Sequence, residues 1–262
     1  MRLPVLLYHH VGPPRPGTFP ELTVSAERFA RHVSWLARRG YVGIRPADWL
    51  AWCRNAQALP RKPVLLTFDD AYADLAAYAL PVLRRHNFGA AVFVVTQQIG
   101  DENKWDRLRG SEAHRLMTAD QIRAWAALGI EFGAHSRTHA DLTTLSDRQM
   151  HEEIDGSRDD LADITGLKVP AFAYPFGQTN EAVRDRVRAV FDCAFSCEEG
   201  LNTASADRYG LFRSMVQPDD STIALACRVR FGRYPVDKWR SRLRIRSRVR
   251  TLAGLRRRGQ QR

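Results

Sequence analysis

Apolar runs of strand length, repeated between stretches of helical periodicity, constrain this chain more than any other feature. They are Pro4 to His9 (PVLLYH), Lys62 to Phe68 (KPVLLTF), Ala90 to Val95 (AAVFVV), Ile130 to Ala134 (IEFGA) and Val169 to Pro175 (VPAFAYP). Near-continuous runs of this kind predict strands buried on both faces, as in a parallel sheet flanked by helices. The intervening spacing is helical: Phe29, Val33 and Leu36 share one face between Ser25 and Gly40, as do Met150, Ile154 and Leu161 between Ser146 and Gly166. Thr118 with Gln121, and Ser146 with Gln149, have the spacing of capping boxes. Gly40, Gly89, Gly129 and Gly166 each stand where a helical pattern gives way to an apolar run. Glycine tolerates the left-handed backbone that closes a helix, so these are helix-to-strand junctions. The fold class expected is α/β, with a parallel sheet inside and helices outside. For 262 residues a closed or partly closed (β/α) barrel fits better than two separate domains.

Charge is spread unevenly. The chain carries a net charge of +11, but Arg228 to Arg262 alone holds 14 basic residues against the single acid Asp237. The other residues, 1–227, hold 26 basic and 28 acidic side chains. A nearly neutral body offers no basic groove, so nucleic acid is not expected as a partner. The expected division is a barrel domain over 1–227 and an Arg-rich tail over 228–262. Such a tail either touches an anionic membrane surface or stays solvated. No apolar run approaches the roughly 20 residues of a membrane-spanning helix. The opening MRLPVLLYHH has one Arg and a short apolar run ending in two histidines, which reads as a buried first strand and not an export signal. The expected location is therefore cytoplasmic, peripheral at the inner membrane surface where the tail engages. Cys53, Cys193, Cys197 and Cys227 form no CxxC pair, and Cys193 and Cys197 are expected to be buried thiols within CAFSC.

Thr67-Phe68-Asp69-Asp70 follows an apolar strand directly. α/β folds place their sites at the C-terminal ends of strands. There one carboxylate can ligate a metal while the other works as a base. Equally, the pair can be a turn or a cap for the next helix. His135-Ser-Arg-Thr-His139 also follows an apolar run. Histidines at i and i+4 share a helical face and can hold one cation through neutral imidazoles, although the spacing alone also arises by chance. One Asp and two His leave positions open for water and substrate, as hydrolytic centres require. Tyr174-Pro175-Phe176-Gly177 reads either as a groove wall offering a backbone N–H or as a strand-ending turn. His9 is either a proton donor near neutral pH or a hydrogen-bonded core residue. Trp105, beside Asp106, is either a sugar-pocket wall or core.

Taken together and in this order, TFDD, HSRTH and AYPFG resemble the polysaccharide deacetylase family, the NodB-homology domain of carbohydrate esterase family 4, from about Pro4 to about Val216. LLYHHVG, the Trp105-Asp106 pair and the AYPFG form resemble the poly-N-acetylglucosamine deacetylase branch more than the peptidoglycan or chitin branches. The resemblance implies a deformed (β/α) barrel and a divalent cation held by Asp70, His135 and His139. Zinc comes first, with Co2+, Ni2+, Mn2+ or Fe2+ as alternatives. It implies Asp69 as general base and the Phe176 N–H at the oxyanion, with Tyr174, Pro175, Phe176 and Trp105 along the substrate cleft. The activity implied is removal of N-acetyl groups from N-acetylhexosamine units of a polysaccharide, oligosaccharide or lipid-linked sugar.

The sequence departs from the family pattern at two places. An Arg that often tethers the catalytic Asp, two residues before the Pro of the third motif, is Ala173 here. Arg213, grouped with the substrate-binding side chains, is the candidate to replace it beside Asp69. The late Leu-x-His that usually supplies the general acid is missing, because no His follows His151. The same branch places a His in the first strand, which makes His9 the candidate acid, with His10 facing the other way on a strand. The missing late His also leaves open a catalytically weak glycan-binding or membrane-associated scaffold.

Overall fold

The computed structural model describes residues 1–14, 19–107 and 112–235. The chain opens with β1 (Val5–Tyr8) and the short β2 (His10–Val11), which pairs with β3 (Thr23–Val24) apart from the main sheet. Helix α1 (Ala26–Arg38) starts at Ser25, whose hydroxyl accepts from the Arg28 N–H, and it buries Phe29, Val33 and Leu36. There follow β4 (Val42–Gly43), α2 (Pro46–Cys53), β5 (Pro63–Phe68), a π-helical turn (Leu75–Ala79), α3 (Leu80–Arg85), β6 (Ala91–Val94) and α4 (Lys104–Arg107). The second half runs α5 (Ala119–Ala127), β7 (Glu131–Ala134), α6 (Asp147–Thr165), β8 (Ala171–Ala173), α7 (Glu181–Val190), β9 (Cys193–Phe195), β10 (Ser214–Met215) and α8 (Thr222–Phe231).

Every neighbouring pair in the main sheet is parallel, in the order β10-β1-β5-β6-β7-β8-β9, with β4 beside the start of β5. A single parallel bridge from Phe195 to Leu211, just ahead of β10, draws the two edges together. The sheet is thus a curled barrel that is not fully closed. β1, β5 and β6 are buried at every residue, as two-sided packing requires. Strand alternation then sorts the core. Leu6, Val64, Leu66 and Val92 pack outward against Phe29, Leu83 and Ile154 of the helices. Val5, Leu65, Ala91, Phe93 and Phe195 fill the interior with Trp49 and Leu50 of α2.

Both expected capping boxes are present, at Thr118 with Gln121 and at Ser146 with Gln149. Gly40, Gly129 and Gly166 adopt positive φ at their helix ends, but Gly89 does not. Asn87, at φ 54°, closes α3 instead, and Gly89 sits in close quarters: a Cβ there would lie 3.1 Å from the Ile44 carbonyl carbon. Of the CAFSC thiols, Cys193 is buried in β9, whereas Cys197, beyond the end of that strand at Phe195, is exposed and lines a surface cleft.

The expected boundary at Cys227 falls inside α8. Arg228 is fully buried, its Nε donating to the Asp220 carboxylate at 2.6 Å, so it belongs to the packed body. Residues 236–262 of the Arg-rich tail lie outside the described residues. Among the described residues, no helix is long and apolar enough to cross a membrane.

Candidate active site

Three loops at the C-terminal ends of β5, β7 and β8 converge. Asp69 continues β5, its N–H donating to the Tyr8 carbonyl at 3.0 Å. The backbone then turns left-handed at Asp70 (φ 70°) and Ala71 (φ 54°), which lets two consecutive carboxylates share one cleft. HSRTH forms no helix. Residues 135–139 are a loop with Ser136 and His139 both at φ 62°, so the two imidazoles meet through turns and not through a helical face. Of the seven non-glycine residues with positive φ among those described, five are here: Asp70, Ala71, Ser136, His139 and Phe176. Left-handed backbone costs a side chain about 1 kcal/mol or more, and its concentration at one site marks geometry held by the surrounding fold.

His135 Nε2 lies 3.7 Å and His139 Nε2 3.5 Å from Asp70 Oδ1, and one donor atom from each of the three buried residues falls within 4.8 Å of the others. The His135 Nδ1–H donates to the Ala173 carbonyl at 2.7 Å, which turns the bare Nε2 lone pair toward Asp70. Asp70 Oδ1 is itself buried and accepts no hydrogen bond. Burial, then the charges of Asp69 and Asp106, push the Asp70 carboxyl well above the usual range. Lone pairs facing one another in a dry site are unfavourable unless a cation lies between them. The His-His-Asp donor set fits a divalent cation with positions left open.

Asp69 stands apart from this trio chemically. Burial raises its pKa, but the charge of Arg213, with lesser contributions from His135 and His9, more than offsets that and holds it down at about 2. Arg213 Nη1 and Nη2 donate to the two Asp69 oxygens at 2.6 and 2.9 Å, and its Nε donates to the Ser196 carbonyl at 2.8 Å. The guanidinium also lies over the Phe93 and Phe195 rings. All three guanidinium nitrogens of Arg213 thus donate to groups inside the protein. It holds a carboxylate and does not line the substrate cleft, contrary to its grouping with substrate-binding residues.

The cleft has a volume of about 300 Å³, with His9, Trp105, Asp106, Phe176 and Cys197 around the metal-ligating side chains. Trp105 stacks on the His139 ring at 4.6 Å, and Phe176 meets that ring edge-on at 4.4 Å. Tyr174 is not in the cleft: its side chain is buried and its hydroxyl donates to the Tyr209 carbonyl at 2.9 Å. Tyr174 shares strand parity with Phe172, which faces the helices; only at Phe176 (φ 58°) does the turn re-aim a side chain. Pro175 is buried within that turn. His9 reaches the cleft, and burial pushes its pKa down to about 4, with Asp69 acting the other way. His10 turns away, its Nδ1 2.8 Å from Asp74 and its ring stacked on Tyr72 at 3.5 Å.

Sequence reading missed the residues that hold the histidine loop. Arg137 makes a two-point pair with Asp160, at 2.9 and 2.7 Å, while Glu153 accepts from the N–H groups of Arg137 and Thr138. Glu153 and Asp160 stand two turns apart on one face of α6, a spacing that could have signalled a docked loop. Between them, Gly156 leaves room for the guanidinium: a Cβ would lie 2.6 Å from Arg137 Nε.

At the mouth of a curled parallel sheet, this chemistry defines a metal-dependent hydrolase. Residues 56–190, just over half of the chain, match the family model described as polysaccharide deacetylase. The chain belongs to the polysaccharide deacetylase family. His9 and Arg213 both lie outside the matched residues. YxkH of Bacillus subtilis is 26% identical over 234 residues, covering 89% of this chain and 76% of that protein. The poly-beta-1,6-N-acetyl-D-glucosamine N-deacetylase of Staphylococcus aureus is 21% identical over 206 residues, covering 75% of this chain and 69% of that enzyme. Among solved structures, the Streptococcus pyogenes deacetylase PplD in complex with acetate superposes with a TM-score of 0.75 at 24% identity, covering 86% of this chain and 97% of that one. A de-N-acetylase from Aggregatibacter actinomycetemcomitans gives 0.74 at 20% identity, covering 85% and 98%. At these identities the structures establish a shared fold.

Proposed function

We propose that this protein hydrolyses N-acetyl groups on N-acetylhexosamine units of a glycan or lipid-linked sugar, leaving a free amine and releasing acetate. The observation that carries the reading is Asp69, kept ionised by Arg213 with its Oδ2 4.0 Å from His135 Nε2, immediately beside the metal-ligating trio. A scaffold that merely retained the fold would have no use for a second ionised carboxylate buried there.

A divalent cation, zinc by the family resemblance, would be held by Asp70, His135 and His139 and would supply Lewis acidity to the acetyl carbonyl and to the attacking water. Asp69 is charged at every ordinary pH and accepts the proton of that water. His9, neutral at rest, takes up that proton in the cleft and delivers it to the leaving nitrogen. By analogy with the family, the Phe176 N–H would stabilise the carbonyl oxygen as negative charge grows there. Trp105 and the Phe176 ring form apolar walls for the sugar. A substrate of the poly-N-acetylglucosamine type is supported by the similarity to the Staphylococcus aureus enzyme and by the first-strand His9 at the cleft.

Asp69→Asn is the test. Acetate release from N-acetylglucosamine oligomers should vanish while elemental analysis still finds one metal per chain. Undiminished release would remove Asp69 from the chemistry, and loss of the metal would recast it as a ligand.

For residues 236–262, with eleven basic side chains and one acid, we propose peripheral contact with an anionic inner-membrane surface. Truncation after Pro235 should reduce liposome binding and leave acetate release from a soluble substrate unchanged. Equal binding by both forms would refute the contact.

A further inference from the structure

Helix α8 carries apolar side chains on two faces. Leu225 and Val229 are buried in the core on the inner face. Ile223, Cys227 and Phe231, spaced four apart, form a second stripe on the outside. Ile223 is 72% exposed and Phe231 60%, the highest values for large apolar side chains among the described residues. The stripe borders a groove of about 530 Å³ between α8 and the C-terminal end of α1. Its other wall is Trp35 and Tyr41, stacked on each other at 6.3 Å. The Arg39 guanidinium lies 5.7 Å over Trp35, and the Lys62 ammonium 5.7 Å over Tyr41. With Arg230, the described residues lining the groove include three cations and no acid.

An apolar stripe rimmed by Arg, Lys and amphipathic aromatics is the composition of a helix face that lies in a bilayer interface. We propose that the α1–α8 face docks on an anionic phospholipid bilayer, with Ile223 and Phe231 entering the acyl boundary and Arg39, Lys62 and Arg230 meeting lipid phosphates. Charge decides against the other occupants. Residues 236–262 carry charge of the same sign as the groove, so electrostatics gives them no attraction to it. A second copy of the chain, related by two-fold symmetry, would set those cations against themselves. Nucleic acid would satisfy the cations but leave Ile223 and Phe231 in water. None of these side chains lines the active-site cleft, so the inference stands independently of the deacetylase reading.

The test is co-sedimentation of the full chain with vesicles of phosphatidylglycerol in phosphatidylcholine, and with vesicles of phosphatidylcholine alone. The chain should bind the anionic vesicles selectively. Ile223→Glu and Phe231→Glu, near opposite ends of the helix, should each weaken binding about tenfold or more with an unchanged melting temperature. Both variants keep residues 236–262, so the loss belongs to the face and not to the tail. Unchanged binding by both variants, no binding by the parent chain, or equal binding to uncharged vesicles would each overturn the proposal. So would a dimer that either variant dissociates, or binding to a DNA oligonucleotide that the variants lose in the same proportion.

Discussion

Arg213 and Asp69, 144 positions apart in sequence, are joined by two hydrogen bonds of 2.6 and 2.9 Å with both side chains almost wholly shielded from water. Removing one partner of such a pair strands a buried charge, which costs about 3–5 kcal/mol. Arg213→Ala should therefore lower stability by about that amount in urea unfolding. It should also reduce kcat for acetate release by roughly 100-fold, because Asp69 loses its orientation and its low pKa. Arg213→Lys should recover little, since a point charge cannot reproduce the two-point fork. A lysine variant with full kcat would show that charge alone suffices.

The histidine loop predicts a loss of metal affinity without any change to a ligand. Arg137→Ala severs the contact with Asp160, and Gly156→Ala pushes a methyl group into the same guanidinium. Partners that orient ligands are worth about 10–100-fold in affinity, so both variants should release metal to a competing chelator at correspondingly lower concentrations. Wild-type affinity in both would mean the loop holds its shape unaided.

Glu131 predicts a pH dependence of stability. It sits at the start of β7, where burial pushes its pKa up to about 7, partly offset by the Ala47 N–H and Arg45, while Asp48 adds to the rise. The folded chain therefore keeps a proton between about pH 4.5 and 7 that the unfolded chain has released, so stability falls as pH rises through that window. The loss is at most about 3 kcal/mol. Glu131→Gln should melt several degrees above the parent at pH 8 and close to it at pH 4.5. Parallel melting curves at the two pH values would contradict the shift.

The sheet was legible because strands buried on both faces are written as continuous apolar runs, as β1, β5 and β6 show. Strands of two or three residues such as β4, β9 and β10 leave no such record. Asp70, His135 and His139 were legible as residue types at strand ends, but their backbone was not. The spacing of His135 and His139 pointed to a helix, whereas the site is made by left-handed turns that no periodicity encodes. Tyr174 lies within the motif but strand parity sends its side chain toward the helices, which the motif's residue order does not encode. Arg228 belongs to the tail by charge alone, but its pairing with Asp220 is made by the fold and leaves no mark in the sequence.

The most direct measurement is acetate released from N-acetylglucosamine oligomers by the full chain loaded with one divalent cation, compared with the same protein after chelation. Sustained release from the loaded protein and background release from the chelated one is the predicted result. A loaded protein that frees no acetate from any N-acetylated oligosaccharide or sugar-lipid, or a chelated one that works equally well, would contradict it.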